Sequence, residues 1–349
     1  MPIPKAPDGA HSGLCAASLA LRLAPYRRPS ALRGVVEIAI TAGPLAAICV
    51  VAWLAASQHL WWGLALAPAA AAFLMRLFMI QHDCGHGAFL PGKRLNDWLG
   101  RAIGILTLTP YDYWQRAHAI HHATSGALDR RTIGGIDTLT VAEYRALPPL
   151  RRLGYRLYRH PLVMFGLGPA FVFLVQHRLP VGMMRGGWRP WLSTMATNLC
   201  AAALIVGLAI AFGILPFLVV YLPVVTLAAA MGVWLFFVQH QFEGTYWARD
   251  GAWEFHEAAF RGSSHYDLPA PLRWLTANIG IHHVHHLCSK IPYYRLGQVV
   301  RDEPALKPAG RLTLWQSRDC VGLALWDEAS GRLISFRQMR RDTRLAAAA

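Results

Sequence analysis

LPFLVVYLPVVTLAAAMGVWLFFVQHQFEGTYW, residues 215–247, joins a long uncharged run to a histidine at its end. An α-helix rises about 1.5 Å per residue, so about 20 residues cross a hydrocarbon layer about 30 Å thick. The apolar run at 215–239 is therefore long enough to span a membrane. His240 follows the run directly, so we expect the same helix to carry this imidazole just beyond the hydrocarbon layer.

Three other apolar runs have a similar length, at 34–57, 60–80 and 192–213. The four runs form two pairs, and each pair is joined by a very short uncharged link, SQHL at 57–60 and GILP at 213–216. Only 15% of the residues are charged, against about 25% in soluble domains. The sequence therefore predicts an all-α membrane protein with four transmembrane helices arranged as two hairpins.

Two hairpins leave every other segment on one side of the membrane. These segments carry nearly all of the 34 Lys and Arg, which predicts a cytoplasmic cap and both termini in the cytoplasm. The basic residues flank apolar spans and form no patch interleaved with aromatic residues, so a nucleic-acid partner is not expected. The predicted parts are an N-terminal arm (1–33), the first hairpin (34–80), a cytoplasmic region (81–191), the second hairpin (192–239) and a C-terminal cytoplasmic region (240–349).

Two further features qualify this arrangement. The apolar run at 161–175 is too short to span and is interrupted by Gly166, Gly168 and Pro169, so we predict an interfacial segment. Arg76 lies inside the second span, and we expect its long side chain to extend to the cytoplasmic surface. Glu37 lies near a membrane boundary and has no special role in this interpretation.

Histidine is unevenly distributed along the chain, which contains 16 of them. Three clusters stand out, HDCGH at 82–86, HAIHH at 118–122 and HHVHH at 282–286. Residues spaced i, i+3 and i+4 share one helix face. This spacing predicts convergence of His82, His86, His118, His121, His122, His282, His285 and His286, with His240 as a ninth candidate. His283 points about 100° away from the mean direction of its neighbours and is not selected.

Eight or nine neutral imidazoles exceed the three or four protein ligands of one zinc ion, so the clusters predict two metal ions with open positions for a small reactant. Imidazole suits zinc, copper, iron or nickel, which leaves the metal open. The six cysteines include no CxxC pair, so no sulfur-ligated cluster is expected.

Candidates to orient a ligand or a bound water are Asp83, Asn278, His256 and His265. Asp83 could equally cap a helix end, and Asn278 would lie four residues before His282 on the same helix face.

The three motifs, HDxxH, HxxHH and HxxHH, on two predicted membrane hairpins resemble those of the integral-membrane fatty acid desaturases. FVQHQFEGTYW and NIGIHHVHHLCSKIPYYRL resemble segments of bacterial acyl-lipid or delta-12/omega-6-type members. The resemblance implies a non-haem centre of two iron ions that uses O2 and two electrons to remove two hydrogens from an acyl chain. The ligands that it implies are His82, His86, His118, His121, His122, His240, His282, His285 and His286.

This chemistry agrees with the residues. An unactivated C–H bond offers no acidic proton and no leaving group, so a redox metal has to carry the difficult step while the protein positions the chain. The walls of an acyl site are expected near Trp234, Phe236, Phe237 and the first hairpin. No haem-binding domain is visible, so we expect a separate electron donor such as ferredoxin, an acyl-lipid substrate and a bacterial inner-membrane location.

The sequence leaves two alternative functions open. A related membrane di-iron hydroxylase or ketolase acting on alkanes, sterols or carotenoids would share the motifs and insert oxygen. A metal transporter would place its ligands near the bilayer midplane on broken helices. The histidines here follow the ends of the spans, which disfavours transport.

Overall fold

The structure, a computed structural model, describes residues 16–131, 133–306 and 310–348. The first fifteen residues of the predicted N-terminal arm lie outside these ranges. The described residues form the α-helices α1 (Ala16–Leu23), α2 (Ala31–Ser57), α3 (Ala67–Gly85), α4 (Lys93–Leu106), α5 (Tyr111–Thr124), α6 (Val141–Ala146), α7 (Pro149–Tyr158), α8 (Gly168–Leu174), α9 (Trp188–Phe212), α10 (Ile214–His240), α11 (Phe255–Arg261), α12 (Ala270–Leu275), α13 (His282–Leu287), α14 (Tyr293–Asp302) and α15 (Phe336–Ala348).

Four helical segments are long and apolar enough to cross a membrane, and they coincide with the four predicted runs. They are α2, a 3₁₀ turn at Trp61–Leu66 continued by α3, α9 and α10. The second segment extends to Gly85, beyond the predicted end at residue 80, because no glycine or proline interrupts it between Pro68 and Gly85. This extension places the first histidine motif on the spanning helix itself.

Helix α3 lies at the centre of the spanning bundle, where it packs against both α2 and α10. The apolar stretch of the whole segment Trp61–Gly85 is 56% buried, whereas that of α9 is only 11% buried. Small side chains at Ala70 and Ala71 are almost completely buried, which lets neighbouring helices approach closely. The exposed apolar surface of α9 is therefore suited to contact with lipid.

Arg76 of α3 does not reach the surface, and the prediction that it would is wrong. Its guanidinium is buried and forms an ion pair with Glu37 of α2. It also donates to the Thr41 hydroxyl at 3.1 Å and to the Trp274 carbonyl, and it lies 4.2 Å from the centre of the Trp274 ring. A buried arginine is stable only when its donors are satisfied, so Glu37 has a structural role that the sequence did not reveal.

The fold is mostly helical, but short strands in the part of the chain outside the spans make the all-α prediction incomplete. The strands are β1 (Leu139–Thr140), β2 (His265–Asp267), β3 (Arg311–Thr313), β4 (Leu323–Asp327) and β5 (Arg332–Ser335). β4 pairs with β5 antiparallel and with β1 parallel, while β2 and β3 form a second parallel pair.

The three-stranded sheet has a small core of its own. Tyr155 of α7, Ile334 of β5 and Met339 of α15 are buried together there. The Leu333 amide donates to the Glu243 carbonyl at 3.1 Å, three residues beyond the end of α10. The C-terminal strands are thereby fixed to the segment that leaves the fourth spanning helix.

The apolar run at 161–175 forms a π-helical turn, Val163–Leu167, followed by α8. The segment Val163–Arg178 is bent by 59° relative to α7, and together the two are apolar and long enough to count as a fifth, broken candidate span. Leu162, Leu167, Phe171 and Val175 are exposed. An interfacial location for this segment stays a prediction.

Candidate metal centre

Four helices bring the predicted histidines together. Helix α3 carries His82 near its end and His86 at its C-cap, and His240 is the last residue of α10. The other two motifs lie on α5 and α13. The ring of His282 approaches that of His240 although 42 residues separate them, because the chain folds back from α10 through α11 and β2 to α13.

All nine candidates fall into two groups, and within each group the potential ligand atoms lie within 4.8 Å of one another. The first group is His82, His86, His118, His122 and His285, and the second is His121, His240, His282 and His286. Helices α5 and α13 each supply histidines to both groups. The i+3 position of each helix therefore belongs to a different group from its i and i+4 neighbours.

The Nε2 atoms converge in each group. In the first group the distance from His118 Nε2 is 3.0 Å to His82 Nε2 and 3.1 Å to His122 Nε2. In the second group the distances from His282 Nε2 are 3.0 Å to His240 Nε2 and 3.1 Å to His286 Nε2. Nitrogens about 2.1 Å from one ion and at right angles to each other are separated by about 3.0 Å. The donor set thus fits a cation at the centre of each group.

The protonation of these imidazoles also fits metal binding. Burial holds the pKa of seven of these imidazoles well below its usual range, and the neighbouring imidazoles lower the pKa further. The seven are His86, His118, His121, His122, His282, His285 and His286. A metal binds only the neutral ring. The buried His86 Nε2 has no hydrogen-bond partner among the described residues, as expected for an atom that would face a cation.

The carboxyl group of Asp83 contacts the ring of His82. His82 Nδ1 lies 3.1 Å from Asp83 Oδ1, and Asp83 Oδ2 accepts the Tyr293 amide at 2.6 Å. A proton on Nδ1 leaves Nε2 free as a ligand, which is the usual arrangement of a carboxylate behind a metal-bound histidine. His240 is arranged in the same way, because its Nδ1 lies 3.2 Å from the Gly262 carbonyl oxygen.

The other predicted orienting residues lie elsewhere. The helix-face argument for Asn278 fails because α13 begins at His282; Asn278 has a φ of +53° and donates to the Tyr293 carbonyl. The His265 ring, on β2, is 5.7 Å from the ring of His283, and the His256 ring contacts Phe255. No contact of either ring with the nine histidines is found in the described part of the chain.

His283 is excluded from both groups, as the helix-face argument predicted. Its Nε2 lies 2.9 Å from the Leu306 carbonyl oxygen, so this ring is positioned to donate to the backbone. The residue is fully buried on the side of α13 that faces away from the histidine groups. It serves as an internal comparison for its four neighbours in the same motif.

A cavity of about 690 Å³ reaches the histidine groups, with His82, His118 and His282 in its wall. It extends along α3 to Leu74, eight residues before His82 and therefore roughly 12 Å away. The part of the wall that lies within the spanning helices is mostly apolar, formed by Leu74, Met75, Phe78, Met79, Val225, Ala228, Ala229 and Gly232. An apolar cavity of this kind accommodates a hydrocarbon chain.

The sequence anticipated only part of this wall. Phe236 lines the cavity, as does the α3 half of the first predicted hairpin. Trp234 and Phe237 do not line it, because both pack against Phe165 with ring centres 5.0 Å apart. Small residues on α10 were missed, since a glycine or alanine in an apolar run carries no distinguishing signal.

Comparison with known proteins identifies a family profile and individual proteins that this chain is similar to. A profile of the family described as "Fatty acid desaturase" matches residues 59–318, a range that contains all nine histidines. A fatty acid desaturase of Bacillus subtilis is 41% identical over 322 residues, covering 92% of this chain and 91% of that protein.

More distant relatives carry more specific names. A Synechocystis protein named sn-1 acyl-lipid omega-3 desaturase (ferredoxin) is 29% identical over 248 residues, which is 66% of this chain and 64% of that protein. A second Synechocystis protein, named sn-1 oleoyl-lipid 12-desaturase, is 28% identical over 239 residues, or 68% of this chain and 64% of that protein.

Proposed function

Because this chain belongs to the fatty acid desaturase family, we propose that its nine histidines hold two iron ions and that it introduces a double bond into the acyl chain of a membrane lipid. The protein is an oxidoreductase, a fatty acid desaturase. The observation that carries the proposal is the convergence of two histidine groups at one apolar cavity.

When bound, a pair of iron ions would supply the oxidising power to remove hydrogen from an unactivated C–H bond with O2 and two electrons. The first ion would be held by His82, His86, His118, His122 and His285, and the second by His121, His240, His282 and His286. Neutral imidazole rings are suited to iron, and open coordination positions would remain for a small reactant.

The chain's own residues would position the substrate. Successive methylenes are chemically alike, so selection among them depends on how deeply the acyl chain enters the cavity. Burial of each methylene contributes about 0.8 kcal/mol, so the apolar wall favours full insertion. His82, His118 and His282 lie in the wall of this cavity, which supports a reaction at the methylenes beside them.

Asp83 would keep His82 in the tautomer that presents Nε2 to the ion. Its carboxylate faces His82 Nδ1 and is fixed in turn by the Tyr293 amide. Such partners behind a ligand tune both its orientation and its basicity. No proton transfer by Asp83 is required for this role.

For the membrane arrangement, we propose that α2 with α3 and α9 with α10 form two hairpins. The segments 1–33, 81–191 and 240–349 would then form the cytoplasmic arm and cap, with both termini on the cytoplasmic side of a bacterial inner membrane. Support comes from the four candidate spans and from the concentration of arginine and lysine outside them. Positions of the histidines at the ends of α3 and α10 disfavour a transporter.

The electron donor is proposed to be a ferredoxin. Two relatives carry that word in their names, from Synechocystis and from Nostoc, at 29% and 27% identity. A net charge of +15 would favour encounter with an acidic protein.

The proposed function is tested by expressing the chain in a bacterial host whose lipids are fully saturated and analysing the acyl chains by mass spectrometry. We expect products that have lost two hydrogens and that are recovered in phospholipid. A product that has gained an oxygen atom would identify a hydroxylase, and an unchanged lipid profile despite correct membrane insertion would contradict the proposal.

A further inference from the structure

The two histidine groups differ in how close they come to the protein surface. All four members of the second group are buried, whereas His86, His118 and His122 of the first group are partly exposed. His118 lines the large cavity, but His86 and His122 do not. These two half-buried residues therefore lie closer to the surface than the second group does, and outside the wall of the acyl cavity.

The surface beside these two residues includes several positions with little or no side chain. On α5, Arg116, Ala119 and Ala123 are exposed and share one helix face beside His122. Gly87 follows His86, with a φ of +62°. The short side chains of Ala119 and Ala123 and the lack of one at Gly87 would let another protein approach His86 and His122 closely.

Two cations border the same surface. Lys290 Nζ donates to the His86 carbonyl at 2.6 Å, and Arg116 lies on the exposed face of α5. Within the described ranges, neither cation forms an ion pair with a carboxylate. Asp112, one turn before Arg116, is already paired with Arg101 at 2.8 Å. The surface is therefore positive and its charge is not neutralised internally.

We propose that this surface, formed by Gly87, Arg116, Ala119, Ala123 and Lys290 around His86 and His122, is where an acidic one-electron donor protein docks. We call it the electron-entry face. The proposal rests on the proposed function, which requires two electrons per double bond. Each encounter oxidises one reduced donor and passes one electron to the metal pair, so two encounters complete a turnover.

Distance is the physical reason for this location. Electron tunnelling slows steeply as donor and acceptor separate, so a donor has to dock where ligands reach the surface. Only the first group has members, His86 and His122, that are half-buried and do not line the acyl cavity. Complementary charge then raises the rate of productive encounter and orients the donor.

A second basic surface offers a matched comparison. Arg337, Arg340, Arg341 and Arg344 are exposed at i, i+3, i+4 and i+7 along α15. This stripe has more positive charge than the electron-entry face, yet it contains none of the nine histidines. If charge alone decided docking, α15 would be the better site.

The test measures the affinity of the purified full-length protein, in lipid nanodiscs, for an oxidised acidic [2Fe–2S] ferredoxin by surface plasmon resonance. Arg116→Glu with Lys290→Glu should raise Kd about tenfold at low ionic strength, and the difference should shrink as salt is added. The control, Arg340→Glu with Arg344→Glu, makes the same change of charge and should leave Kd within about twofold of the wild type.

Two results would overturn the docking proposal. In one, the α15 pair weakens ferredoxin binding as much as the Arg116 and Lys290 pair does. In the other, ferredoxin affinity is unchanged in the Arg116 and Lys290 pair. Iron content and reduction by dithionite are measured in every variant, because Lys290 contacts the His86 backbone. A wild type without iron would instead contradict the proposed function.

Discussion

At the scale of single residues, the spacing of the histidines selected eight members of the two groups and left out His283, and the position of His240 at the end of a span added the ninth. The same reasoning failed for Asn278, because it assumed a helix that continues before His282. It also left Asp83 undecided between two roles. The contact between Asp83 and His82 depends on the rotamers of both side chains, which no sequence pattern encodes.

The contrast within the motif at 282–286 gives the first prediction. His285→Ala removes a member of the first group and is expected to abolish bound iron at that position together with activity. His283→Gln keeps a side-chain donor for the Leu306 carbonyl and should retain most iron and activity. Its cost in stability should be limited to about 1–3 kcal/mol, the penalty for an imperfect buried hydrogen bond.

Iron per chain, measured by plasma mass spectrometry on both purified variants, checks this prediction. Equal losses in the two variants would show that the two faces of α13 have been assigned wrongly.

The second residue-scale prediction concerns Asp83→Asn. The amide preserves the shape of the side chain but offers only one acceptor oxygen, whereas Asp83 faces two N–H groups, His82 Nδ1–H and the Tyr293 amide. We expect iron affinity to fall about 10- to 100-fold, as for other partners behind a metal ligand.

The measurement is iron retention during dialysis against a graded series of chelator concentrations. Asp250→Asn, which affects only an exposed ion pair with Arg130, is the control and should behave like the wild type. Equal iron retention in the two variants would show that Asp83 does not support the metal site.

At the scale of helices and strands, length and hydropathy located the four spans to within a few residues at most ends. The largest difference was the end of α3, and it matters because the helix carries the first histidine motif into the site. The strands were missed because none exceeds five residues and their partners are distant in sequence, as Leu139 and Leu325 are. Local periodicity contains no information about such pairing.

The buried pair between α2 and α3 supplies the prediction at this scale. Arg76→Met leaves Glu37 buried with fewer donors, and we expect a loss of about 3–5 kcal/mol in stability. Glu37→Gln should be similarly costly. The double variant should lose less than the sum of the two, because neither charge is then left unpaired.

Thermal unfolding in detergent, followed by circular dichroism for all four proteins, measures this coupling. Additive losses would mean that the two side chains act independently and that the buried ion pair does not join the helices.

At the scale of the whole molecule, the sequence indicated which residues would meet but not how they would be divided. Counting imidazoles suggested two ions, whereas the division into five and four follows from how α5 and α13 lie between α3 and α10. The cavity, too, depends on the packing of α3 against α10, and small residues such as Ala228 and Gly232 become part of its wall only in three dimensions.

The proposed activity therefore depends on two cations held by imidazoles from four helices. An anomalous difference map recorded at the iron absorption edge, from crystals of the purified wild-type protein, tests this most directly. We predict two peaks, one enclosed by His82, His86, His118, His122 and His285, and the other by His121, His240, His282 and His286. A single peak, or peaks outside these two groups, would contradict it.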